Sequence, residues 1–218
     1  MRGAQHGTLV TAGAQTAGRG RLGREWIAPA GSSLLASLVV RGLSDRSAHL
    51  PLAGAVAVCE ACERCAPVAC RIKWPNDVWI NERKVAGILL EGRPQEGWAV
   101  LGIGVNVSTA IEDFPPDLRE RATSLVAAAP GTPPPAVEDV LAALLAALSA
   151  RLGEAPEGTV AAWSERDALH GRAIRWEGGE GFARGIAASG GLRVATGDGE
   201  RELHAGEVTL VRPAGKRA

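Results

Sequence analysis

The sequence lacks both an excess of charge of one sign and a long apolar run. Its 24 lysines and arginines balance 24 acidic residues, which argues against a dedicated nucleic-acid-binding protein, since such proteins are usually strongly basic. No apolar run approaches the roughly 20 residues of a membrane span. The amino terminus also lacks the apolar core of a signal peptide. We therefore expect a soluble, cytoplasmic protein.

The order of the predicted elements suggests two parts. With 46% apolar residues among 218, the chain can bury a substantial core. Strand and helix patterns alternate up to about residue 169, and five short strand patterns separated by glycine-rich turns follow from residue 172. We expect an α/β domain over residues 1–169 and a small barrel over residues 170–218. The main predicted strands are 7–12, 33–40, 85–90 and 98–106, and the predicted helices begin at residue 52 and cover 137–152 and 159–169.

Four cysteines, at positions 59, 62, 65 and 70, are spaced C-x2-C-x2-C-x4-C, which is close to an iron–sulfur ligand run. The same segment has apolar residues at helical spacing from Leu52 onward. One continuous helix cannot wrap four thiolates around a cluster. We therefore interpret Cys59 and Cys62 as small core residues and expect no disulfide.

Residues 14–26, AQTAGRGRLGREW, contain three arginines alternating with three glycines. This composition predicts a loop, which we call the glycine–arginine loop. Glycines allow backbone N–H groups to approach an anion, and guanidinium groups bind phosphates and carboxylates in a bidentate manner. The motif predicts an anion-binding loop, although a solvated basic loop or a nonspecific contact with nucleic acid fits the composition as well.

Further along the chain, KWPNDVWINERKVAGIL begins at Lys73, and GIGVN ends a predicted strand at Asn106. Glycines in such a strand usually mark the close approach of a ligand or of another backbone. The tight turn at residues 75–77 accounts for Asn76.

The blocks GRGRLGREW, KWPNDVWINERKVAGIL and GIGVN occur here in the order and spacing of the catalytic domain of biotin–protein ligases. The chain resembles this family from about Gly7 to its end. The resemblance implies an α+β fold: a mixed β-sheet flanked by helices, as in class II aminoacyl-tRNA synthetases, followed by an SH3-like small β-barrel. It also implies that biotin and ATP form biotinyl-adenylate, from which biotin passes to a lysine of a carrier protein.

The implied chemistry requires fixed cations, because it joins a carboxylate to a phosphate and releases pyrophosphate. By resemblance, the catalytic residues are Arg19, Lys73, Asp77 and Lys84, and Asp77 is also a candidate ligand for Mg2+. The implied biotin-binding residues are Gln15, Gly18, Arg19, Gly20, Arg21, Lys84 and Gly87. The implied ATP- and adenylate-binding residues are Arg19, Arg21, Arg24, Trp26, Lys73 and Asn106, with Trp26 stacking on the adenine and Asn106 hydrogen-bonding it.

The chain departs from the family pattern at its start. The Ser/Thr-Thr/Ser-Asn motif that binds the ureido ring of biotin in the family is absent, so the chain resembles a member truncated before its first strand. We expect this form to bind biotin weakly, because each unmade buried hydrogen bond costs about 1–3 kcal/mol. The family's N-terminal DNA-binding domain is also absent, so we expect no DNA partner.

The implied partner is the biotin carboxyl carrier domain of acetyl-CoA carboxylase or a related carboxylase, and the chain could act as a monomer or a homodimer. Three alternatives remain at this stage: a lipoate–protein ligase, a noncatalytic adenylate-binding relic, and a nucleic-acid module. The absence of base-stacking aromatics beside the three arginines and the zero net charge count against the last of these.

Overall fold

The computed structural model describes residues 3–43 and 48–211. Its first sheet has six strands in the order β1-β2-β6-β5-β4-β3, and every pair of neighbouring strands is antiparallel. The strands are β1 Leu9–Ala12, β2 Ser33–Arg41, β3 Arg71–Lys73, β4 Asp77–Ile80, β5 Arg83–Arg93 and β6 Trp98–Asn106.

The α+β class is confirmed, but the sheet differs from the predicted mixed sheet. Parallel pairing among the described residues is confined to two isolated bridges, Lys84 with Ala122 and Ile72 with Asp167. Tight turns join β3 to β4 and β4 to β5, and such short connections produce antiparallel neighbours.

The two longest helices pack on one face of this sheet, and the described residues contain four α-helices in all. They are α1 Leu50–Cys65, α2 Leu125–Ala128, α3 Val137–Gly153 and α4 Pro156–Ser164. Helix α1 contacts α3, and its Gly54 lies close to the side chains of Ile88 and Leu101. The Cβ positions of Gly87 and Gly104 lie on the opposite face, where they approach the Trp26 ring. The candidate site therefore forms on the face away from α1.

The cysteines of α1 occupy the core, as the helical spacing predicts. Cys59 and Cys62 are fully buried in the helix, Cys65 is half-buried at its end, and Cys70 is buried just before β3. All four thiols are free. Among the described residues, no group of three or more histidine, cysteine or acidic side chains is arranged to hold a metal ion.

The second sheet contains the five predicted strands of the carboxyl-terminal part, in the antiparallel order β10-β9-β8-β7-β11. They are β7 Ala173–Trp176, β8 Gly179–Ile186, β9 Leu192–Thr196, β10 Gly199–Leu203 and β11 Val208–Leu210. Closure of this sheet into an SH3-like barrel, and a domain boundary at residue 169, remain predictions.

The predicted helix over residues 159–169 is wrong in its bounds. Helix α4 begins earlier, with Pro156 in its first turn, and ends at Ser164. The backbone beyond it pairs with the edge strand β3, since the Ile72 N–H donates to the Arg166 carbonyl at 2.7 Å and the Ala168 N–H to the Ile72 carbonyl at 2.9 Å. The residues that were expected to form the last turn of this helix therefore pair with strand β3 instead.

The two sheets are joined by hydrogen bonds. The buried Trp74 indole donates to the Gly190 carbonyl at 3.1 Å, and the His49 ring lies 2.8 Å from the Ala188 carbonyl. Both carbonyls belong to the connection between β8 and β9, which therefore rests against the first sheet. Helices of sufficient length and apolarity to cross a membrane are absent from the described part of the chain.

Candidate active site

A cleft of about 250 Å³ opens between the glycine–arginine loop and the face of strands β2, β5 and β6, and we call it the site cleft. Its floor follows the register of the sheet. Leu35 lies opposite Gly104, which lies opposite Gly87; in the next row Ser37 lies opposite Gly102, which lies opposite Leu89. Three of these six positions are glycine, so the floor is hollow where side chains would otherwise stand.

The Trp26 ring occupies part of this hollow. A Cβ atom on Gly104 would lie 2.6 Å from Trp26 Cε2, and one on Gly87 would lie 3.2 Å from Trp26 Cζ3. The glycine near the end of β6 therefore leaves room for the Trp26 ring. The sequence predicts that a ligand or another part of the chain approaches these glycines closely, and here it is the side chain of Trp26. The Trp26 Nε1 donor is buried and has no hydrogen-bond partner among the described residues.

The glycine–arginine loop folds back on itself. The Gly20 N–H donates to the Arg24 carbonyl at 2.7 Å, and the Trp26 N–H donates to the Gly18 carbonyl at 3.0 Å. A side chain on Gly18 would overlap the Trp26 carbonyl oxygen. This narrow closure places Arg19 and Arg21 along the site cleft, and it confirms the predicted loop.

The basic groups of the site surround one carboxylate. Asp77 Oδ1 lies 2.6 Å from Lys84 Nζ, and Asp77 Oδ2 lies 4.0 Å from Lys73 Nζ. Burial lowers the pKa of Lys73; Asp77 opposes that shift, and the positive charge of Lys84 adds to it. Lys84 Nζ also lies 5.6 Å from the centre of the Trp26 ring. The site thus concentrates more positive than negative charge beside an apolar floor.

Arg21 is the most enclosed arginine of the loop. Burial lowers the pKa of its guanidinium, while Asp77 raises it and Arg24 lowers it further. Its Nη1 donates to Asn76 Oδ1 at 3.3 Å. The Asn76 amide in turn donates to the Ile88 carbonyl at 2.7 Å. Asn76 therefore joins the loop to strand β5, in addition to its expected place in the tight turn.

The other two arginines of the loop pair with carboxylates at its rim. Arg19 Nη2 lies 3.1 Å from Glu91 Oε2, and both side chains are largely exposed. Arg24 pairs with Glu207, which directly precedes β11 of the second sheet.

The structure brings most of the predicted site residues together. The site cleft is lined by seven of them: Gln15, Arg19, Gly20, Arg21, Trp26, Lys84 and Gly87. Gly18 and Arg24 line a second cavity along the loop, which shares Arg19 and Arg21 with the site cleft. Asp77 pairs with Lys84, and neither Asp77 nor Lys73 lines the cleft.

Asn106 lies apart from the others. It is 3% exposed, donates to the Thr123 carbonyl at 3.0 Å, and does not line the site cleft. Its predicted role in binding adenine therefore remains a prediction.

Sequence reasoning missed Ser37 and Glu91, which also line the site cleft. Only the pairing register between strands puts these residues on one face, and the sequence does not contain that register. The predicted Mg2+ role of Asp77 finds no support in its surroundings, because its carboxylate is engaged by two ammonium groups. We assign no step to a metal.

Comparison with known proteins indicates the family to which the chain is similar. A model described as the biotin/lipoate A/B protein ligase family matches residues 1–108. The bifunctional ligase/repressor BirA of Bacillus subtilis is 43% identical over 131 residues, which are 58% of this chain and 40% of that protein. The chain thus spans less than half the length of that relative. Biotin–acetyl-CoA-carboxylase ligases of Paracoccus denitrificans and Mycobacterium tuberculosis match over most of their length, at 88% and 80%.

The structural comparison agrees. The biotin protein ligase from Aquifex aeolicus, solved in complex with biotin and ATP, superposes with a TM-score of 0.85 at 29% identity, covering 97% of this chain and 91% of that one. The Mycobacterium tuberculosis ligase is 34% identical over 94% of this chain. On this similarity, together with the site cleft and its cations, the chain belongs to the biotin protein ligases of the biotin/lipoate A/B family.

Proposed function

We propose that this protein joins biotin to a specific lysine of a carboxylase carrier domain through biotinyl-adenylate. The observation that carries the proposal is the position of Lys84 beside the hollow, glycine-lined floor of the site cleft, with Arg19 and Arg21 above it. Two relatives bear the name biotin–acetyl-CoA-carboxylase ligase, and a structural relative was solved with biotin and ATP. These names support biotin as the acid and a carboxylase as the recipient.

In the first step, a carboxylate oxygen of biotin attacks the α-phosphorus of ATP. The new oxygen–phosphorus bond replaces the bond to the bridging oxygen, which leaves with its electron pair as part of pyrophosphate. Two anions must approach each other, so neutralisation by fixed cations provides the main catalytic effect. Lys84 at the floor and Arg21 in the loop are the cations nearest the point where these anions meet.

In the second step, the amine of the carrier lysine attacks the acyl carbon of the adenylate. An amide bond forms, and AMP leaves with the electron pair of the broken bond while the amine loses a proton. The loop, closed over the cleft, protects the mixed anhydride from water during this transfer. Following the resemblance, we place the adenine near Trp26 and the triphosphate toward Arg24 and Lys73.

ATP–pyrophosphate exchange in the presence of biotin, lipoate or no acid tests this function. We expect biotin-dependent exchange that falls by about 100-fold or more in Lys84→Ala, the usual cost of removing a group that stabilises developing charge. Arg83→Ala, an exposed neighbour on the same strand, is the matched control and should retain the rate.

Other outcomes separate the remaining candidates. Exchange that depends on lipoate would identify a lipoate ligase. Absence of exchange combined with tight binding of biotinyl-adenylate would identify a noncatalytic binding protein and overturn the proposal.

A further inference from the structure

Three buried thiols meet beside the last turns of helix α1, and none of them lines the site cleft. Cys59 and Cys62 lie about one turn apart on α1, and Cys70 lies just before strand β3. The Cys70 N–H donates to Glu63 Oε1 at 3.0 Å, which holds Cys70 against this end of the helix. The Cys70 thiol also forms hydrogen bonds with the thiols of Cys59 and Cys62. The proposed ligation uses none of these groups.

The hydrogen bonds divide the three thiols into two donors and one acceptor. Burial and the hydrogen bond with Cys70 raise the pKa of Cys59, and the same hydrogen bond, followed by burial, raises the pKa of Cys62. The two hydrogen bonds that Cys70 accepts lower the pKa of its own thiol, although burial and the charge of Glu63 oppose that shift. The positive charge of Arg166 also lowers it. Because the thiolate is the nucleophilic form of cysteine, Cys70 is the reactive member of the cluster.

We propose that the cluster is a thiol–disulfide site, in which a hydroperoxide oxidises Cys70 and a disulfide then forms between Cys70 and Cys59 or Cys62. With hydrogen peroxide, the Cys70 thiolate attacks one oxygen. A sulfur–oxygen bond forms while the oxygen–oxygen bond breaks, and the hydroxide that leaves with the electron pair takes up a proton. The sulfur of a helix cysteine then attacks the sulfenic sulfur, loses its proton and releases water. The two thiols thus give up two electrons and two protons, which reduce one peroxide to two waters.

The segment that carries Cys70 gives a small oxidant a route to its sulfur. Residues 66–70 join α1 to β3 without regular secondary structure, and both Pro67 and Ala69 are exposed. Short exposed segments of this kind open locally at a low free-energy cost. The thiols are already in contact, so only a small movement of Cys70 brings two sulfur atoms to bonding distance.

The disulfide would act on ligation through strand β3, a consequence that rests on the proposed function. Lys73 lies three residues after Cys70, at the end of β3, and adjoins Asp77, the partner of Lys84. Bonded sulfur atoms are closer together than thiols in contact, so the disulfide draws the start of β3 toward α1. Because a displacement of about 1 Å can cost about 100-fold in rate, we expect oxidised protein to exchange pyrophosphate about tenfold more slowly.

The experiment treats the reduced full chain with hydrogen peroxide and measures free thiols, intact mass and disulfide-linked peptides. We expect the loss of two of the four thiols, a peptide that joins Cys70 to Cys59 or Cys62, and full reversal by dithiothreitol. Cys70→Ala should form no such disulfide and should keep its exchange rate after treatment. Cys65→Ala is the matched control, because Cys65 is half-buried at the end of α1 and outside the cluster, and it should behave as wild type.

The outcomes separate the site from its effect. Peroxide-treated wild type without a disulfide at Cys70, or with one at Cys65 instead, would overturn the inference; this result depends on no variant and therefore on no variant's folding. A disulfide at Cys70 that leaves the exchange rate unchanged would support the thiol site and overturn its effect on ligation. Absence of biotin-dependent exchange in the reduced wild type would overturn the proposed function, whereas the linked peptide would still decide the thiol site.

Discussion

Lys73 is the buried charge of the site, and its cost to stability can be measured. Its side chain is 11% exposed and lies 4.0 Å from Asp77, which already has a closer partner in Lys84. Burial of an ammonium is expensive, and a long ion pair recovers little of that cost. We therefore predict that Lys73→Met stabilises the protein by about 1 kcal/mol at pH 7. The same substitution should slow pyrophosphate exchange if Lys73 assists the phosphates.

The sign of the pH dependence follows from the lowered pKa of Lys73. The unfolded chain keeps the proton on this lysine up to about pH 10.4, whereas the folded protein releases it at lower pH. Between these values the unfolded state binds more protons, so the free energy of unfolding due to Lys73 rises with pH. Urea unfolding from pH 7 to 10.5 should show this rise in wild type and lose it in Lys73→Met. A methionine variant that is less stable than wild type at pH 7 would contradict the prediction.

Among single residues, the sequence predicts those whose role follows from their chemical type. It misses those whose role depends on how the strands are paired. Arg19, Arg21 and Lys84 were found because the chemistry needs cations and the motifs contain them, and all three line the site cleft. Asn76 and Ser37 carry no such signal. Their positions depend on which strands are neighbours and on the register between them, and no short segment of the sequence determines such non-local pairing.

At the level of elements, the glycine–arginine loop depends on the second sheet. Arg24 pairs with Glu207, and Arg21 Nη2 lies 3.5 Å from the Gly206 carbonyl. Both contacts are exposed, and exposed ion pairs contribute about 0.2–1 kcal/mol. The segment before β11 therefore restrains the loop weakly, in a way that a ligand can reinforce.

Loss of this restraint should expose the loop to trypsin, which cleaves after its arginines. We predict that Glu207→Gln increases the rate of cleavage in the loop by about two- to fivefold, the range that corresponds to a weak exposed pair. Limited proteolysis followed by mass spectrometry measures the rate. Glu180→Gln, which breaks an exposed pair with Arg175 on the second sheet, should leave loop cleavage unchanged. Equal cleavage of wild type and Glu207→Gln would show that the pair does not hold the loop.

Periodicity predicted the elements well where they are regular. Strand β6 and helix α3 agree with their predicted bounds to within one residue. The predicted bounds are wrong where a segment pairs with a distant strand. The predicted end of α4 is wrong because the backbone after α4 forms hydrogen bonds with β3. Such tertiary pairing overrides local helix propensity.

At the scale of the whole molecule, we predict that the two sheets unfold together, because they are in contact. The connection between β8 and β9 packs its Gly190 against Leu52 of α1 and accepts the Trp74 hydrogen bond. Trp74 is also the residue that follows Lys73, so the same contact supports the segment that carries the basic groups of the site. Stability of the second sheet and order of the site are therefore coupled.

Trp74→Phe tests this coupling, because it leaves the Gly190 carbonyl without its donor and removes part of a buried ring. We expect a loss of about 2–4 kcal/mol in the free energy of unfolding. Far-UV circular dichroism and tryptophan fluorescence should still report one coincident urea transition. Trp98→Phe is the control: its indole donates to the exposed Glu96 carboxylate at 3.2 Å, and surface changes of this kind usually cost less than about 0.5 kcal/mol. Two separate transitions in the wild type, with only one of them shifted by Trp74→Phe, would show instead that the sheets unfold independently.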